Sequence, residues 1–296
     1  MPRCLNELCS LLGYSRQAYY QGTKYNQQKA FEADMVIGEV LRYRKDQKRI
    51  GTRKLLSEMQ LFLNDHKIKI GRDLLFNLLA ERGLLVTKRS RRSCVTTLSR
   101  HRYKKYPNII KDFIPLGPNQ LWVSDITYIR IKDGFAYFSL ITDAYSRKIV
   151  GFYLSRSLSA EGPIRALRMA LNNNPNRCDL IHHSDRGVQY CCDDYVELLN
   201  RNGVKISMTE NGDPLENALA ERVNGILKSE LLEDVFESFA KAQQAVAIAC
   251  TTYNFLRPHG SINNLKPIEA HQLSGRITKT WKNYYKLKTQ KEVLME

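Results

Sequence analysis

Two acidic residues stand at positions that suit catalysis. Asp125 lies between Val123 and Ile126, in a segment rich in β-branched residues that predicts a strand. An ionised carboxylate inside a strand loses hydration and therefore requires a cation. Asp185 follows the run that ends at His183 and opens the turn Asp-Arg-Gly. This pattern predicts an exposed carboxylate at the carboxyl end of a strand, where ligands collect.

A third acidic residue, Glu221, lies on a predicted helix. At 100° per residue, the positions that share its face are Asn217, Gly225 and Lys228, so that face is polar and carries one carboxylate. Glu216 points about 140° away on the same helical wheel and more simply favours the helix N-terminus. We therefore prefer Glu221 to Glu216 as the third acidic group.

These three carboxylates predict a site for hard divalent ions. Carboxylate oxygens suit Mg²⁺ or Mn²⁺. Two ions about 3.5–4 Å apart activate an attacking oxygen and stabilise the leaving oxygen during phosphoryl transfer. Water as the nucleophile cleaves a DNA strand, whereas a 3′ hydroxyl joins two strands, so one site performs both reactions. Taken singly, each residue is also explained by a turn, a cap or the surface, and the residues alone leave both interpretations open.

The cysteines and histidines give no comparable pattern for zinc. The seven cysteines are odd in number and lack a C-x-x-C spacing, so we expect reduced thiols. His182 and His183 precede Cys191 and Cys192, but adjacent side chains aim in different directions on a strand or helix. We expect the two histidines to pack, with orientation of the site as the alternative. Neither a secretory signal nor a membrane span is indicated, which predicts a cytoplasmic protein.

The charge of the chain predicts a polyanionic partner. Its formal net charge is +16, and its sequence pI is near 9.5. An excess of this size repels itself without a counter-charge, although any single basic run is also explained as a solvated surface. The excess is concentrated in one short stretch, whose basic residues are Lys88, Arg89, Arg91, Arg92, Arg100, Arg102, Lys104 and Lys105. We expect this stretch to bind DNA phosphates.

The first part of the chain predicts a small helical domain. Apolar residues at spacings of three, four and seven indicate consecutive helices over residues 35–83, one of them capped by Thr52 and the last closing at Arg82-Gly83. This last helix opens with Arg72 after Gly71, which predicts a helix-turn-helix-like contact of Arg72 with DNA. A helical bundle without a DNA role would give the same periodicity.

From residue 118 the pattern changes to that of an α/β domain. Three strands rich in β-branched and aromatic residues are followed by a helix that Ser159 would cap, a strand, a helix, a strand and further helices. Asp143 is expected to serve the second hairpin, with metal binding as the alternative. This order predicts a ribonuclease-H-like mixed five-stranded sheet with helices on both faces.

In the basic, aromatic tail, Trp281, Tyr284 and Tyr285 are equally suited to packing and to stacking on DNA.

Local motifs around the acidic residues resemble those of DDE transposases and retroviral-type integrases. They are Trp122–Tyr128, His183–Tyr190 and Glu216–Glu221, and the acidic spacings are 185 − 125 = 60 and 221 − 185 = 36. The nearest resemblance is to the downstream-frame product, OrfB, of IS-three-family insertion sequences. It covers most of the chain, because Gly51–Leu55 is similar to the family's helix-turn-helix-like segment and Tyr253–His259 to its C-terminal block.

The resemblance implies a specific set of roles. Asp125, Asp185 and Glu221 would be the catalytic residues and the ligands of two Mg²⁺ ions per active site, with Mn²⁺ able to substitute. Lys228 would contact the terminal DNA of the element. The implied partners are the terminal inverted repeats and target DNA, further copies of the chain assembled on DNA, and the upstream-frame protein OrfA, fused or separate. One departure from the family is Glu216, where most relatives carry Asp.

The expected function is therefore that of a DNA transposase that cleaves and joins strands at insertion-sequence ends. A catalytically idle DNA-binding regulator derived from a transposase is the alternative, and a nuclease that does not join ends is a third hypothesis. The predicted organisation is a helical lead-in over residues 1–34, a helix-turn-helix-like domain over 35–87, a basic linker over 88–115, a catalytic core over 116–272 and a basic tail over 273–296.

Overall fold

The computed structural model describes residues 2–87, 101–175, 179–210 and 217–278. The chain divides into two compact units, Met1–Thr87 and Lys88–Glu296. Within the described residues, no helix combines the length and the apolar character needed to cross a membrane.

The described residues of the first unit form five helices. A buried cluster that includes Val40, Leu55, Met59, Leu75 and Leu79 holds four of these helices together. The five are α1 (Pro2–Leu11), α2 (Arg16–Asp46), α3 (Thr52–Glu58), α4 (Gln60–Asp65) and α5 (Arg72–Glu81). This helical content agrees with the expectation from the apolar spacing.

Two local expectations in this unit differ from the structure. The sequence predicted a helical lead-in that ends at residue 34, but helix α2 runs without a break across this position, from a start where Ser15 accepts a hydrogen bond from the Ala18 amide at 3.1 Å. The residues that follow Ser15 are mostly exposed, so no apolar period shows that the lead-in and the next helix are continuous. Thr52 was expected to cap α3, but Gly51 occupies that position and Thr52 is the first helical residue.

The second unit contains a mixed five-stranded sheet. Its strands are β1 (Leu121–Ile131), β2 (Gly134–Asp143), β3 (Ile149–Ser155), β4 (Ile181–Ser184) and β5 (Lys205–Met208), in the order β3-β2-β1-β4-β5. The first three strands are antiparallel neighbours, and β4 and β5 run parallel to β1. The long strand β1 therefore lies at the centre of the sheet.

Helices cover both faces of this sheet, as the sequence predicted. They are α6 (Glu161–Asn173), α7 (Val188–Cys191), α8 (Asp193–Arg201), α9 (Ala218–Ile226), α10 (Phe239–Phe255) and α11 (Pro267–Ala270). Leu140 and Ile141 are neighbours in β2 but belong to different buried clusters, because successive side chains of a strand point to opposite faces. One cluster receives α6 and α8, and the other receives α9 and α10.

Two helix starts in this unit also differ from expectation. Ser159 was expected to cap α6, but Ala160 occupies that position, and the Ser159 hydroxyl lies 3.0 Å from that of Ser157. Helix α9 begins at Ala218 and continues at its end into a wider π-helical turn, Leu227–Leu231. This turn interrupts the 3.6-residue period on which the comparison of Glu221 with Lys228 rested.

The described part of the expected linker, residues 101–115, belongs to the second unit and packs against the edge of its sheet. The Met208 amide of β5 donates a hydrogen bond to the Pro107 carbonyl at 3.3 Å, and the Ile109 amide donates to the Ser207 hydroxyl at 3.1 Å. Nearby, Lys111 forms a 2.6 Å ion pair with Glu210. This segment therefore covers the outer edge of β5 and does not run free between domains. Residues 88–100 lie outside the described residues.

Candidate active site

The sheet register brings the two aspartates together. In the parallel pair of β1 and β4, Leu121 stands opposite Ile181 and Val123 opposite His183. Continuing this register by two residues sets Asp125 beside Asp185, which follows directly after β4. The 60-residue spacing in the sequence is therefore the same offset that pairs the two strands.

Asp125 is anchored by two hydrogen bonds. Its Oδ1 accepts from the Ile126 amide at 2.9 Å, and its Oδ2 accepts from Nδ2 of Asn224 at 2.8 Å. Asn224 belongs to α9, one turn after Glu221. The hydrogen bond therefore connects the central strand to the helix that carries the third acidic residue.

The surroundings of Asp125 favour its protonated form. Loss of hydration raises the pKa of this carboxyl group to about 7, and the negative charges of Asp185 and Glu221 act in the same direction. The hydrogen bonds from Asn224 and the Ile126 amide oppose the increase. A carboxylate in these surroundings is stabilised in its charged form by a nearby cation.

Asp185 occupies the turn that the sequence predicted. Its Oδ1 accepts a hydrogen bond from the Gly187 amide at 3.0 Å, and a Cβ atom at position 187 would lie only 3.0 Å from that same oxygen. Asp185 and Asp125 line one recess, together with Ile126, Tyr128, Leu158, Gly187, Gln189 and Tyr190. The structure therefore brings two of the three predicted acidic residues to a common recess.

Glu221 lies near this recess but does not line it. It is exposed on α9, and its charge acts on Asp125. Within the residues that the structure describes, no three His, Cys, Asp or Glu side chains are arranged to hold one ion together. Glu216, the residue weighed against Glu221, is outside the described ranges.

Two asparagines that the sequence analysis did not assign to the site support it, one from α9 and one from the residue directly before this helix. Asn224 binds Asp125, and Nδ2 of the buried Asn217 donates to the Ser124 carbonyl at 3.0 Å. Asn224 stands three residues after Glu221, a spacing that makes neighbours on a helix. A comparison of Glu221 with the position three residues later on the helix would have identified Asn224.

The paired histidines pack beneath the aspartates. His182 is buried, and its Nε2 lies 2.6 Å from the Ser124 hydroxyl and 2.9 Å from the Tyr195 hydroxyl. Burial and the neighbouring His183 lower the pKa of His182 to about 3, so this histidine is neutral near pH 7. Nδ1 of His183 lies 2.9 Å from the Ser207 hydroxyl. These contacts support the packing interpretation.

Asp143 serves the second hairpin, as expected. It is fully buried, and its carboxylate accepts hydrogen bonds from the Asn119 amide at 2.7 Å, the Ser146 amide at 2.7 Å and the Ser146 hydroxyl at 2.8 Å. Burial raises the pKa of this carboxyl group, and the same hydrogen bonds lower it. Its oxygens are therefore used within the turn.

The predicted DNA contacts are distributed over both units. Arg72 is exposed at the start of α5 and pairs with Asp73 at 2.7 Å. Lys228 is half-buried in the π-helical turn, two residues before Glu230. Glu230 forms two hydrogen bonds with the buried Arg257, at 2.8 and 2.9 Å. Four further predicted contacts fall outside the described residues, namely Lys88, Arg89, Arg91 and Arg92.

Comparisons with known proteins agree with this architecture. Two family models described as "Integrase core domain" match residues 115–214 and 202–267. The 31 kDa protein of insertion element IS600 from Shigella sonnei is 32% identical over 88% of this chain and 96% of its own length. The transposase of insertion sequence element IS629 from Shigella sonnei is 30% identical over 90% of each chain.

A solved structure is also similar to part of this chain. It is the HTLV-2 integrase catalytic core domain in complex with magnesium, which is 20% identical, with a TM-score of 0.44 and coverage of 54% of this chain and 100% of that one. The sheet order, the helices on both faces and the integrase family matches define a ribonuclease-H-like integrase core. The chain belongs to the insertion-sequence transposases of the DDE and integrase superfamily.

Proposed function

We propose that this transposase cleaves and joins DNA strands at the ends of an insertion sequence, with Asp125, Asp185 and Glu221 as its catalytic residues. The observation that carries the proposal is the recess shared by Asp125 and Asp185, in which the pKa of Asp125 is raised to about 7. A strongly shifted carboxyl group beside a second carboxylate is characteristic of functional sites.

The donor set fits a hard divalent cation. Carboxylate oxygens are the ligands that Mg²⁺ and Mn²⁺ prefer, and a cation would stabilise the charged form of Asp125. We propose that the three acidic residues would hold two Mg²⁺ ions, for which Mn²⁺ can substitute. When bound, such ions supply charge stabilisation to the attacking and leaving oxygens of the phosphate. Asn224 would hold Asp125 in place, and Glu221 would complete the ligand set from α9.

The DNA is expected to contact both units. We propose that Arg72 and the basic stretch with Lys88, Arg89, Arg91 and Arg92 bind phosphates, and that Lys228 contacts the terminal DNA near the acidic residues. The net charge of +16 supports this part of the proposal. The helical domain over residues 35–87 would hold the DNA while the core acts on the terminal inverted repeats and the target. Copies of the chain would assemble on DNA, with OrfA as a partner or fusion.

The test is a plasmid assay in Mg²⁺ with the complete element, including its upstream frame. Joined element ends are scored for the wild type, Glu221→Gln and Asp125→Asn. The matched control is Glu197→Gln, because Glu197 is an exposed residue of α8 that pairs with Arg201. We expect joined ends from the wild type and the control alone.

Other outcomes contradict the proposal in distinct ways. Cleavage without joined ends would indicate a nuclease. DNA binding without either product would indicate a regulator, and joined ends from Glu221→Gln would remove Glu221 from the site.

A further inference from the structure

The Tyr190 hydroxyl is a buried polar group whose role neither the fold nor the acidic site has yet explained. Tyr190 is 2% exposed and lies on α7, in the segment that follows Asp185. Among the described residues, its hydroxyl has no hydrogen-bond partner. A buried hydroxyl without a partner costs about 1–3 kcal/mol, so a group of this kind calls for an explanation.

The position of this hydroxyl supplies the explanation. Tyr190 lines the recess that Asp125 and Asp185 share, and the charges of both aspartates act on it. The rings of Tyr190 and Tyr195 pack edge to face, with their centroids 5.4 Å apart and their planes at 78°. The Tyr190 ring also contacts the His182 ring. The Tyr190 ring is therefore held rigidly, with its hydroxyl near the two carboxylates.

The neighbouring donors already serve the carboxylates. Asp125 accepts from the Ile126 amide and from Asn224, and Asp185 accepts from the Gly187 amide. Of the other polar side chains that line the recess, Gln189 donates from Nε2 to the Leu158 carbonyl at 3.1 Å, and Tyr128 packs against the rings of Phe135 and Tyr137. The Tyr190 hydroxyl is thus a donor that remains available to an oxygen entering the recess.

We propose that Tyr190 is a further catalytic residue of this transposase, whose hydroxyl donates a hydrogen bond to a phosphate oxygen of the strand being cut or joined. This inference rests on the proposed function of the recess. In the reaction, the attacking oxygen forms a new bond to phosphorus and the bond to the leaving oxygen breaks. The proton of the nucleophile passes to solvent or to the leaving oxygen. Tyr190 keeps its own proton throughout.

An uncharged donor suits a phosphate at this position. A neutral phenol adds no negative charge beside the two aspartates, so it can donate a hydrogen bond to a phosphate oxygen without repelling it. Burial, the neighbouring Tyr195 and the aspartates all raise the pKa of Tyr190 well above its ordinary value. The phenol therefore keeps its proton, and remains a donor, near neutral pH.

The chain contains a matched control in Tyr195. Its side chain is equally buried and packs against the same ring, but its hydroxyl lies 2.9 Å from Nε2 of His182 and it does not line the recess. Replacing each tyrosine by phenylalanine removes one oxygen and keeps the ring. The two variants therefore distinguish a hydroxyl that stabilises the fold, that of Tyr195, from a hydroxyl that is proposed to contact the substrate, that of Tyr190.

The experiment compares Tyr190→Phe and Tyr195→Phe in the full-length chain, using a plasmid that carries the complete element. In Tyr190→Phe, we expect the rate constant of strand cleavage at saturating protein to fall about 10- to 100-fold, with the half-saturating concentration unchanged. We also expect its melting temperature to equal or exceed that of the wild type, because an unpartnered buried hydroxyl is lost. Tyr195→Phe is expected to melt lower and to keep its cleavage rate within twofold.

Three results would overturn the inference. They are a cleavage rate within twofold of the wild type for Tyr190→Phe, an equal loss in Tyr195→Phe, and a melting temperature that falls in Tyr190→Phe. Asp125→Asn is measured in parallel. If Asp125→Asn is inactive while Tyr190→Phe is active, only the role of Tyr190 fails; if Asp125→Asn stays active, the proposed function of the recess fails.

Discussion

Asn224 donates a hydrogen bond to Oδ2 of Asp125 at 2.8 Å and so connects α9 to the central strand of the sheet. We expect Asn224→Ala to lower the rate of strand cleavage about 10- to 100-fold, because the variant loses a hydrogen bond to an ionised carboxylate. The rate is measured on a plasmid that carries the complete element, with the variant protein at saturation.

The matched control is Asn202→Ala. Asn202 is exposed, and its side chain donates to the Leu198 carbonyl four residues earlier, at 2.8 Å. It should cleave at the wild-type rate. A rate for Asn224→Ala within twofold of the control would mean that this hydrogen bond does not position Asp125.

The raised pKa of Asp125 predicts a pH-dependent stability in the absence of divalent ions. The folded-state pKa of about 7 exceeds the ordinary value of 3.8, so the folded protein binds this proton more tightly than the unfolded chain does. The contribution of Asp125 is therefore fully present below pH 4 and is lost as the pH rises to about 7. Asp125→Asn, which does not titrate, should become more stable relative to the wild type over this range.

This difference is measured by urea unfolding in EDTA between pH 4.5 and 8. Comparing the two proteins at each pH cancels the contributions of other groups, such as Asp143 and His182, that titrate in both. Asp133→Asn, a change at an exposed residue of the turn between β1 and β2, should run parallel to the wild type. A constant difference between the wild type and Asp125→Asn would contradict the assigned pKa.

Removal of one partner from the pair formed by Arg257 and Glu230 is expected to destabilise the fold substantially. The Arg257 side chain is 4% exposed and donates two hydrogen bonds to Glu230, which lies in the π-helical turn. Glu230→Gln leaves the arginine charge buried without its partner, and breaking such a pair costs about 3–5 kcal/mol when both partners are buried. Since Glu230 is 24% exposed, we expect a loss at or below the lower end of this range.

Urea unfolding at neutral pH measures this loss, and the chain offers an exposed pair for comparison. Arg165 and Glu161 lie 2.7 Å apart on α6, with 52% and 58% of their side chains exposed. Glu161→Gln should change the free energy of unfolding by less than about 1 kcal/mol. Equal effects of the two substitutions would show that burial of Arg257 adds nothing to the strength of its pair.

Gly151 is required where α6 crosses β3. A Cβ atom at this position would lie 2.2 Å from the Ala166 carbonyl oxygen and 2.8 Å from the Ala170 Cβ, so the helix would have to move. We expect Gly151→Ala to cost about 1–3 kcal/mol or more. In contrast, nothing lies within 4 Å of a Cβ at Gly38 of α2, where alanine should stabilise by about 0.5–1 kcal/mol. Thermal melting of both variants checks the opposite signs.

The order of strands and helices in the second unit was accessible from the sequence, because apolar patterning reports which faces are buried. The strand at Lys205–Met208 and the helix at Phe239–Phe255 occur in the predicted order. The positions of Asp125 and Asp185 in a strand and a following turn were also predictable. Their proximity is a property of strand pairing, and a single segment of sequence does not encode it.

Other features depend on contacts that patterning cannot report. A helical lead-in was predicted over residues 1–34, but the exposed first half of α2 has no apolar period to show that one helix runs from Arg16 to Asp46. The π-helical turn at Leu227–Leu231 leaves no trace in residue type. The orphan hydroxyl of Tyr190 is visible only when its partners are known, since tyrosine is also a common core residue.

The segment that covers β5 determines where the second unit can be cut. A fragment that begins at residue 116 would strip away Pro107, whose carbonyl accepts from the Met208 amide, and would leave the outer edge of β5 bare. Bare edges pair with other chains and promote aggregation. A stable fragment of the second unit is therefore expected to begin upstream of Pro107, so that the described segment that covers the edge of β5 is kept.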